Sequence, residues 1–396
     1  MSAPSRGPAG RQRVLFLQPE LGRPAGGYAV AAWMLEALKG EYDVTLLSWR
    51  PVDLNAVNRL FGTRLRNGEI TVRTVPGTLR RVVDGLLDDE WRFYGYCILM
   101  RWCRWLRRPD DILVSASNET DFGAPGVQYV HFPYQCRNWT SQRAPWFMRL
   151  AARVRPWRLI SGFSFPAMAG NTTLVNSNWT AARVREAYGI ECQTVYPPVW
   201  GPFVDTPWPS REAGFVSIGR LSEEKRFEVV INVLKMVRTQ FPEVHLHIVG
   251  FSDAYTKEYC NNLRQTVREN AAWVSLEENL DRQQLHDIVG RHRYGIHGMP
   301  NEHFGIAVAE MVAAGCVVFV PDSGGQVEIV GPDPRLRYRG DVEARDRILD
   351  VLANPGTQTA LRQLLAARKD LFTAERFMAH IRDVVRDHAQ AVGHVR

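Results

Sequence analysis

Short apolar runs alternate with amphipathic segments along the whole chain, the pattern of strand-helix-strand units on parallel sheets. VLFL (14–17) reads as a first strand. A glycine-bearing loop, a helix from about Gly27 to Lys39 and a strand at 43–48 follow it. Further strands are expected at 70–75, 111–116, 127–132, 172–177 and 193–197. The rhythm then breaks at 197–214, where five prolines and two glycines fall in eighteen residues, a composition that continues neither a helix nor a central strand. It restarts with runs at 214–219, 244–250, 273–276, 294–298 and 316–321. The pattern predicts two doubly wound α/β domains, 12–200 and 214–372, with a linker at 201–213 and a closing helix and tail at 373–396. Phe377, Ile381, Val384 and Val385 give that last segment its helical stripe.

Composition adds bounds to this picture. With 396 residues and 45% hydrophobic side chains, two domains of ordinary size are expected. Residues 1–11 are rich in Pro, Gly and Arg and read as a disordered leader without the apolar core of a signal peptide. No apolar run approaches roughly 18 residues, so no spanning helix is expected. The six cysteines (Cys97, Cys103, Cys136, Cys192, Cys260, Cys316) are scattered without zinc-like or disulfide-framework spacing, which suits a reducing, cytoplasmic setting.

The net charge of +7 is unevenly placed. No acidic residue lies between Asp121 and Glu186, while Arg137, Arg143, Arg149, Arg153, Arg155, Arg158, Arg183 and Arg185 all do. Stretches 91–108 and 143–158 mix arginines with aromatic and aliphatic residues, and Arg101, Arg104 and Arg108 share one helical face. Such segments suit peripheral contact with anionic lipid at the cytoplasmic face of a membrane; the plain alternative is packing helices with solvated arginines. Nucleic acid also favours basic aromatic surfaces, but no nucleic-acid motif is present and none is expected as a partner.

Open parallel sheets bind ligands beyond the carboxyl ends of their strands. After the 214–219 run, GRLSEEKR places Gly219, Arg220 and Lys225 in such a loop, where two cations can reach a diphosphate; alternatively they are solvated beside Glu223 and Glu224. EHFGIAVAE (302–310) carries Glu302 and Glu310, and a helical rise of about 1.5 Å per residue sets them on the order of 10 Å apart. That exceeds the roughly 5–9.5 Å of a glycosidase carboxylate pair. It suits the two ends of one nucleotide sugar, with sugar hydroxyls at Glu302 and ribose hydroxyls at Glu310. The diphosphate would rest between them on backbone donors of Phe304, Gly305 and Ile306 at a helix N-terminus. DSGG (322–325) adds a small-residue loop at the same sheet edge. In the first half, PELGRPAGG (19–27) lacks the GxGxxG spacing of nicotinamide or flavin sites, and Gly26 and Gly27 either admit a phosphate or acceptor hydroxyl or simply turn the chain. His131 ends a strand, either as a core histidine or as a group facing the ligand.

The ordered set PELGRPAGG, QYVHFP, LVNSNWTAARV, TVYPPV, IGRLSEEKR and IHGMPNEHFGIAVAEMVAAG resembles a retaining glycosyltransferase of family 4, over nearly all of the chain after the leader. VNSNWT, VYPPV, NEHFGIAVAE and DSGG look closest to the GDP-mannose-dependent α-1,2-mannosyltransferases of the dolichol-linked oligosaccharide pathway. The resemblance implies a GT-B fold, two Rossmann-like domains facing a cleft, with a terminal helix crossing back to the first domain. It implies Arg220 and Lys225 on the donor diphosphate, Glu310 on the ribose and Glu302 on the transferred sugar. Gly26 and Gly27 would face donor phosphate and acceptor, and His131 the sugar near its reacting carbon. The glycine loop departs from the family in having two consecutive glycines followed by Tyr28 and Ala29. The membrane segment of the eukaryotic relatives is not found, so any membrane contact is expected to be peripheral.

The expected activity is transfer of a hexose, most simply mannose from GDP-mannose, to a glycan or lipid-linked acceptor with retention. Neither cofactor nor metal is expected, because no DxD-like acidic pair occurs in these loops. A UDP-sugar transferase, an epimerase or phosphorylase on the same fold, and a non-catalytic nucleotide-sugar-binding subunit are the alternatives.

Overall fold

The computed structural model describes residues 11–87, 91–134, 156–203, 206–252 and 256–394. The expected leader lies almost wholly outside the described residues, as does most of the basic stretch 143–158. The chain forms two compact units. One comprises the residues up to Pro198 together with those from Ala374 onward, and the other is Val199–Thr373.

The first unit contains strands β1 (Arg13–Leu17), β2 (Asp43–Ser48), β3 (Ile70–Thr74), β4 (Ile112–Ser115), β5 (Val127–Val130), β6 (Thr172–Val175) and β7 (Gln193–Thr194). They pair in the order β3-β2-β1-β4-β5-β6-β7, all parallel. Because crossover helices cover both faces of a parallel sheet, its strands read as continuous apolar runs; Val14, Leu15, Phe16 and Leu17 are accordingly all fully buried. The run expected at 193–197 yields only Gln193–Thr194 as strand, since Pro197 and Pro198 bring no N–H to a ladder. Helix Gly26–Leu38 buries residues on nearly every side. The terminal helix Ala374–His394 packs against it. Phe377 of the terminal helix meets Tyr129 edge-on, and His388 Nδ1 lies 3.0 Å from the Thr172 hydroxyl. The crossover helix thus closes the first unit.

Helix Trp91–Leu106 bears on the lipid-contact expectation without deciding it. It buries Tyr96, Cys97, Leu99, Met100 and Cys103 in a cluster with Leu15, Leu17 and Leu113. Two of the arginines expected on a lipid-facing surface are latches. Arg101 donates to the carbonyls of Ile160 (3.0 Å) and Leu159 (2.6 Å). Arg104 donates to the Gly162 carbonyl (2.8 Å) and pairs with buried Asp121 at 2.6 Å. The physical reason is local: the last turn of helix Pro156–Ser161 and Gly162 after it leave carbonyls that need donors, and helix Trp91–Leu106 supplies them.

The second unit holds β8 (Glu212–Arg220), β9 (Leu246–Phe251), β10 (Val274–Glu278), β11 (His292–Ile296), β12 (Val317–Pro321) and β13 (Arg337–Tyr338). Their order is β10-β9-β8-β11-β12-β13, again all parallel. In both sheets the strand order reverses once, between β1 and β4 and between β8 and β11. Loops beyond the carboxyl ends of those strands are where this architecture places ligands.

Candidate active site

In the second unit the switch point brings together the loops after β8 and β11. Gly298 makes this possible, since a Cβ there would stand 2.8 Å from the Lys225 carbonyl and 2.9 Å from that of Arg226. The side chain of Lys225 runs back past Gly219, whose φ of 154° suits glycine. Lys225 Nζ forms an ion pair with Glu302 Oε2, and His297 Nε2 lies 3.3 Å from the same oxygen. A carboxylate only accepts, so His297 is the donor.

The side chains of Lys225 and Glu302 are 15% and 13% exposed, so the pair borders solvent without being immersed in it. Burial acts to raise the Glu302 carboxyl, but Lys225 and His297 outweigh it and hold the group well below the usual carboxylate range. Burial also pushes the His297 imidazole below its ordinary value, against the Glu302 hydrogen bond, so it stays neutral near pH 7. The buried Tyr338 hydroxyl donates to the His297 carbonyl and fixes the end of β11.

The loop after β12 buttresses Glu302 from behind. Gly325 N donates to the Glu302 carbonyl (2.8 Å) and Asn301 N to the Ser323 hydroxyl (3.0 Å). Gly324 has a φ of 81°, and a Cβ on it would lie 2.4 Å from the Glu302 carbonyl oxygen. Gln326 Nε2 donates to the carbonyls of Met299 (2.9 Å) and Ser323 (3.0 Å).

Glu302 stands before the helix. Helix Ile306–Ala313 starts after Gly305, a cap with φ 102°. The eight-residue glutamate spacing is therefore part loop and part helix, and the straight helical rise does not measure it. The first-turn N–H groups of Ile306 and its successors have no intrahelical acceptor, which makes this end favourable to an anion. Phe304 is buried and meets Phe372 edge-on at 5.7 Å between ring centroids. Glu310, also buried, pairs with Arg282 at 2.6 Å, and the Arg282 guanidinium stacks 4.5 Å over the Trp200 ring. Arg220 pairs with Glu224 at 2.5 Å on a half-exposed surface, the plainer of the two arrangements open from sequence.

The first unit brings its own candidates together. Gly26 and Gly27 open helix Gly26–Leu38, and a Cβ on Gly27 would lie 3.4 Å from His131 Nε2. That nitrogen is 2.9 Å from the Ala116 carbonyl beyond β4. Asn118, at φ 63°, accepts from the backbone N–H of His131 (2.7 Å) and Phe132 (3.2 Å). His131 is thus aimed at the β1/β4 switch point and is not a core histidine.

Residues 203–363, almost all of the second unit, match the family described as glycosyl transferases group 1. The second unit is a group 1 glycosyl transferase domain. That agrees with the enzyme class and family resemblance read from the sequence. A GDP-Man:Man(3)GlcNAc(2)-PP-Dol alpha-1,2-mannosyltransferase of Homo sapiens is 26% identical over 52% of this chain and 45% of its own length. The Mus musculus protein of the same name is 26% identical over 81% of this chain and 74% of its own length. The chain therefore aligns with less than half of the human relative. Among solved structures, Anabaena HepE in complex with UDP and glucose superposes with a TM-score of 0.66 at 15% identity, covering 95% of this chain and all (100%) of that one. Sucrose-phosphate synthase from Thermosynechococcus elongatus gives a TM-score of 0.66 at 16% identity, covering 96% of this chain and 100% of that one. The fold class is GT-B, built on two Rossmann-like sheets, as the sequence led one to expect.

Sequence reading missed His297 and Arg282. Arg282 matters through a partner 28 residues away, and His297 through Glu302 five residues on in the same loop; the only local signal was a histidine at the end of an apolar strand. Among the described residues no helix is long and apolar enough to cross a membrane.

Proposed function

We propose that this glycosyl transferase domain binds a nucleotide-diphosphate sugar, most simply GDP-mannose, and that the protein transfers the hexose to a hydroxyl of a glycan or lipid-linked acceptor with retention of configuration. The observation that carries this reading is the meeting of Lys225, Glu302 and His297 at the β8/β11 switch point, in the loop that leads into the Ile306 helix. A cation, a sugar-binding carboxylate and a helix N-terminus are the parts that a diphosphate sugar requires. The names of the human and mouse relatives supply the choice of mannose and guanosine.

In this mechanism the bond between the anomeric carbon and the donor phosphate oxygen breaks as the acceptor oxygen bonds to that carbon from the same face. The acceptor proton passes to the departing diphosphate. Lys225, Arg220 and the first-turn N–H groups stabilise the developing negative charge electrostatically, so the reaction is proposed to need no metal. Glu302, held ionised, orients the sugar hydroxyls. Glu310, fixed by Arg282, accepts from the ribose hydroxyls. Gly26, Gly27 and His131 in the first unit are proposed to serve the acceptor side.

Calorimetric titration of GDP-mannose, UDP-glucose, UDP-N-acetylglucosamine and GDP into the purified protein tests this. Selective binding of GDP-mannose that is lost in Lys225→Ala is expected. Preference for a UDP-sugar would reject the mannose assignment and keep the chemistry, while absence of binding to every donor would reject the function.

A further inference from the structure

The amino edge of the second sheet carries a cluster that the donor site does not use. Glu212 opens β8, His245 immediately precedes β9 and His292 opens β11, three neighbouring parallel strands. Glu212 Oε2 lies 3.0 Å from His245 Nε2 and 3.7 Å from His292 Nε2, and the ligand atoms of all three fall within 4.8 Å of one another. Donors bound at about 2.0–2.2 Å to a tetrahedral ion stand roughly 3.3–3.6 Å apart. The observed spacings bracket that range, and Glu212 and His245 are exposed enough (44% and 34%) to adjust.

Two further observations point to a ligand. His292 is fully buried (0% exposed), and its Nδ1 is 2.8 Å from the Ile288 carbonyl. That bond makes Nδ1 the donor and leaves Nε2 as the lone pair, the arrangement that orients metal-binding imidazoles. Nε2 itself, aimed at Glu212, accepts no hydrogen bond. The His245 ring lies over Gly214, where a Cβ would stand 2.2 Å from its Nε2, so glycine at this position makes the cradle that admits the ring. His247 flanks the cluster, 5.4 Å from His292 between ring centroids, with its Nε2 3.8 Å from Glu277. Among the described residues, the cation paired with Glu212 is Arg291, 4.0 Å away and 55% exposed.

We propose that Glu212, His245 and His292 form a binding site for a divalent transition metal of the zinc class, with a fourth position left to water. Two imidazoles and one carboxylate favour zinc over the oxygen-loving magnesium and calcium. An ion there ties β8, β11 and the start of β9 together, at the strand ends opposite the donor loops. Its binding energy adds to the stability of the second unit.

Zinc chloride titrated by calorimetry into the chelator-treated full chain tests the site, with cobalt(II) absorption reporting geometry. Wild type is expected to take up one equivalent with micromolar or tighter affinity, to melt at a higher temperature with zinc, and to give tetrahedral cobalt bands. His245→Ala, at a half-buried position, and Glu212→Gln, at an exposed one, should each weaken zinc affinity by roughly tenfold or more while melting near wild type without metal. His380→Ala, on the terminal helix, should bind as wild type does. Equal zinc affinity in wild type and both site variants, or no uptake by wild type, would overturn the site.

Discussion

Lys225 and Glu302, 77 residues apart in sequence, close an ion pair across the switch point of the second sheet. Under the proposed function, the lysine would lie near the leaving phosphate and the carboxylate near the sugar. His297 donates to the same carboxylate oxygen, so Glu302 stays ionised and fixed in orientation.

Lys225→Ala is therefore expected to lower kcat by roughly 10²-fold or more, by analogy with loss of one preorganised donor. It also leaves Glu302 with one partner fewer, at a stability cost of about 1–3 kcal/mol. Steady-state kinetics and urea melts separate the two effects. Wild-type turnover in a folded variant removes Lys225 from the mechanism.

Gly324→Ala tests the buttress. Its φ of 81° already disfavours a side chain, and the added Cβ would meet the Glu302 carbonyl oxygen at 2.4 Å. Left-handed backbone at a non-glycine residue costs about 1–3 kcal/mol. Displacement of Glu302 should also weaken donor binding, so calorimetry on the variant is expected to show loss of donor affinity beyond the shift in melting midpoint. Donor affinity equal to wild type would separate this loop from the site.

Arg282→Ala leaves the buried Glu310 carboxylate without its partner. Removing one member of a buried pair typically costs roughly 3–5 kcal/mol; Arg282 is 28% exposed, which places the expected loss at the lower end. The double variant Arg282→Met with Glu310→Gln should recover part of it. Chemical denaturation of the singles and the double gives the coupling, and simple additivity would mean that the pair carries no interaction.

Acid should weaken the second unit in two stages. His286 is held down to about 4, chiefly by burial and then by Arg282. Its stabilisation is complete above the unfolded value of 6.5 and is lost as pH falls from there through about 4, because the unfolded chain takes up the proton first. Glu302, lowered by Lys225 and His297, acts further down: its contribution is present above the ordinary carboxylate pKa and fades as pH drops through its depressed folded value. Urea midpoints between pH 7.5 and 4.5 should fall, and His286→Leu should flatten that fall. An unchanged slope in the variant would reject His286 as the source.

Arg101 and Arg104 donate to backbone carbonyls, so the membrane test turns to the exposed apolar side chains near them. Trp105, in helix Trp91–Leu106, and Leu159, in helix Pro156–Ser161, are 77% and 74% exposed. Trp105→Ala with Leu159→Ser is expected to reduce co-sedimentation with anionic liposomes several-fold without lowering the melting temperature. By contrast, Arg104→Glu should destabilise the first unit, since Asp121 is buried beside it. Liposome binding that is absent in wild type would discard membrane contact altogether.

The alternation of apolar runs and amphipathic segments was enough to read two doubly wound units, because burial of a parallel strand is written in its own consecutive residues. The glycine-bearing loops and the carboxyl-end placement of Lys225, Glu302 and Phe304 were legible for the same local reason: they follow strands. Charge partners were not. Arg220 and Lys225 belong to one loop, yet the first pairs with its neighbour Glu224 and the second with Glu302 in another βα unit.

The sequence by itself determined the fold class, the strand-end loops and the residue types available for donor chemistry, since periodicity and turn chemistry act over a few residues. Only the tertiary structure decided which charges meet. It brought His297 onto Glu302 and Arg282 onto Glu310, turned Arg101 and Arg104 into backbone latches, and gathered Glu212, His245 and His292 at one sheet edge. Apart from His297 and Glu302, which share one strand-end loop, strand order and register set these meetings, and no short stretch of chain encodes either.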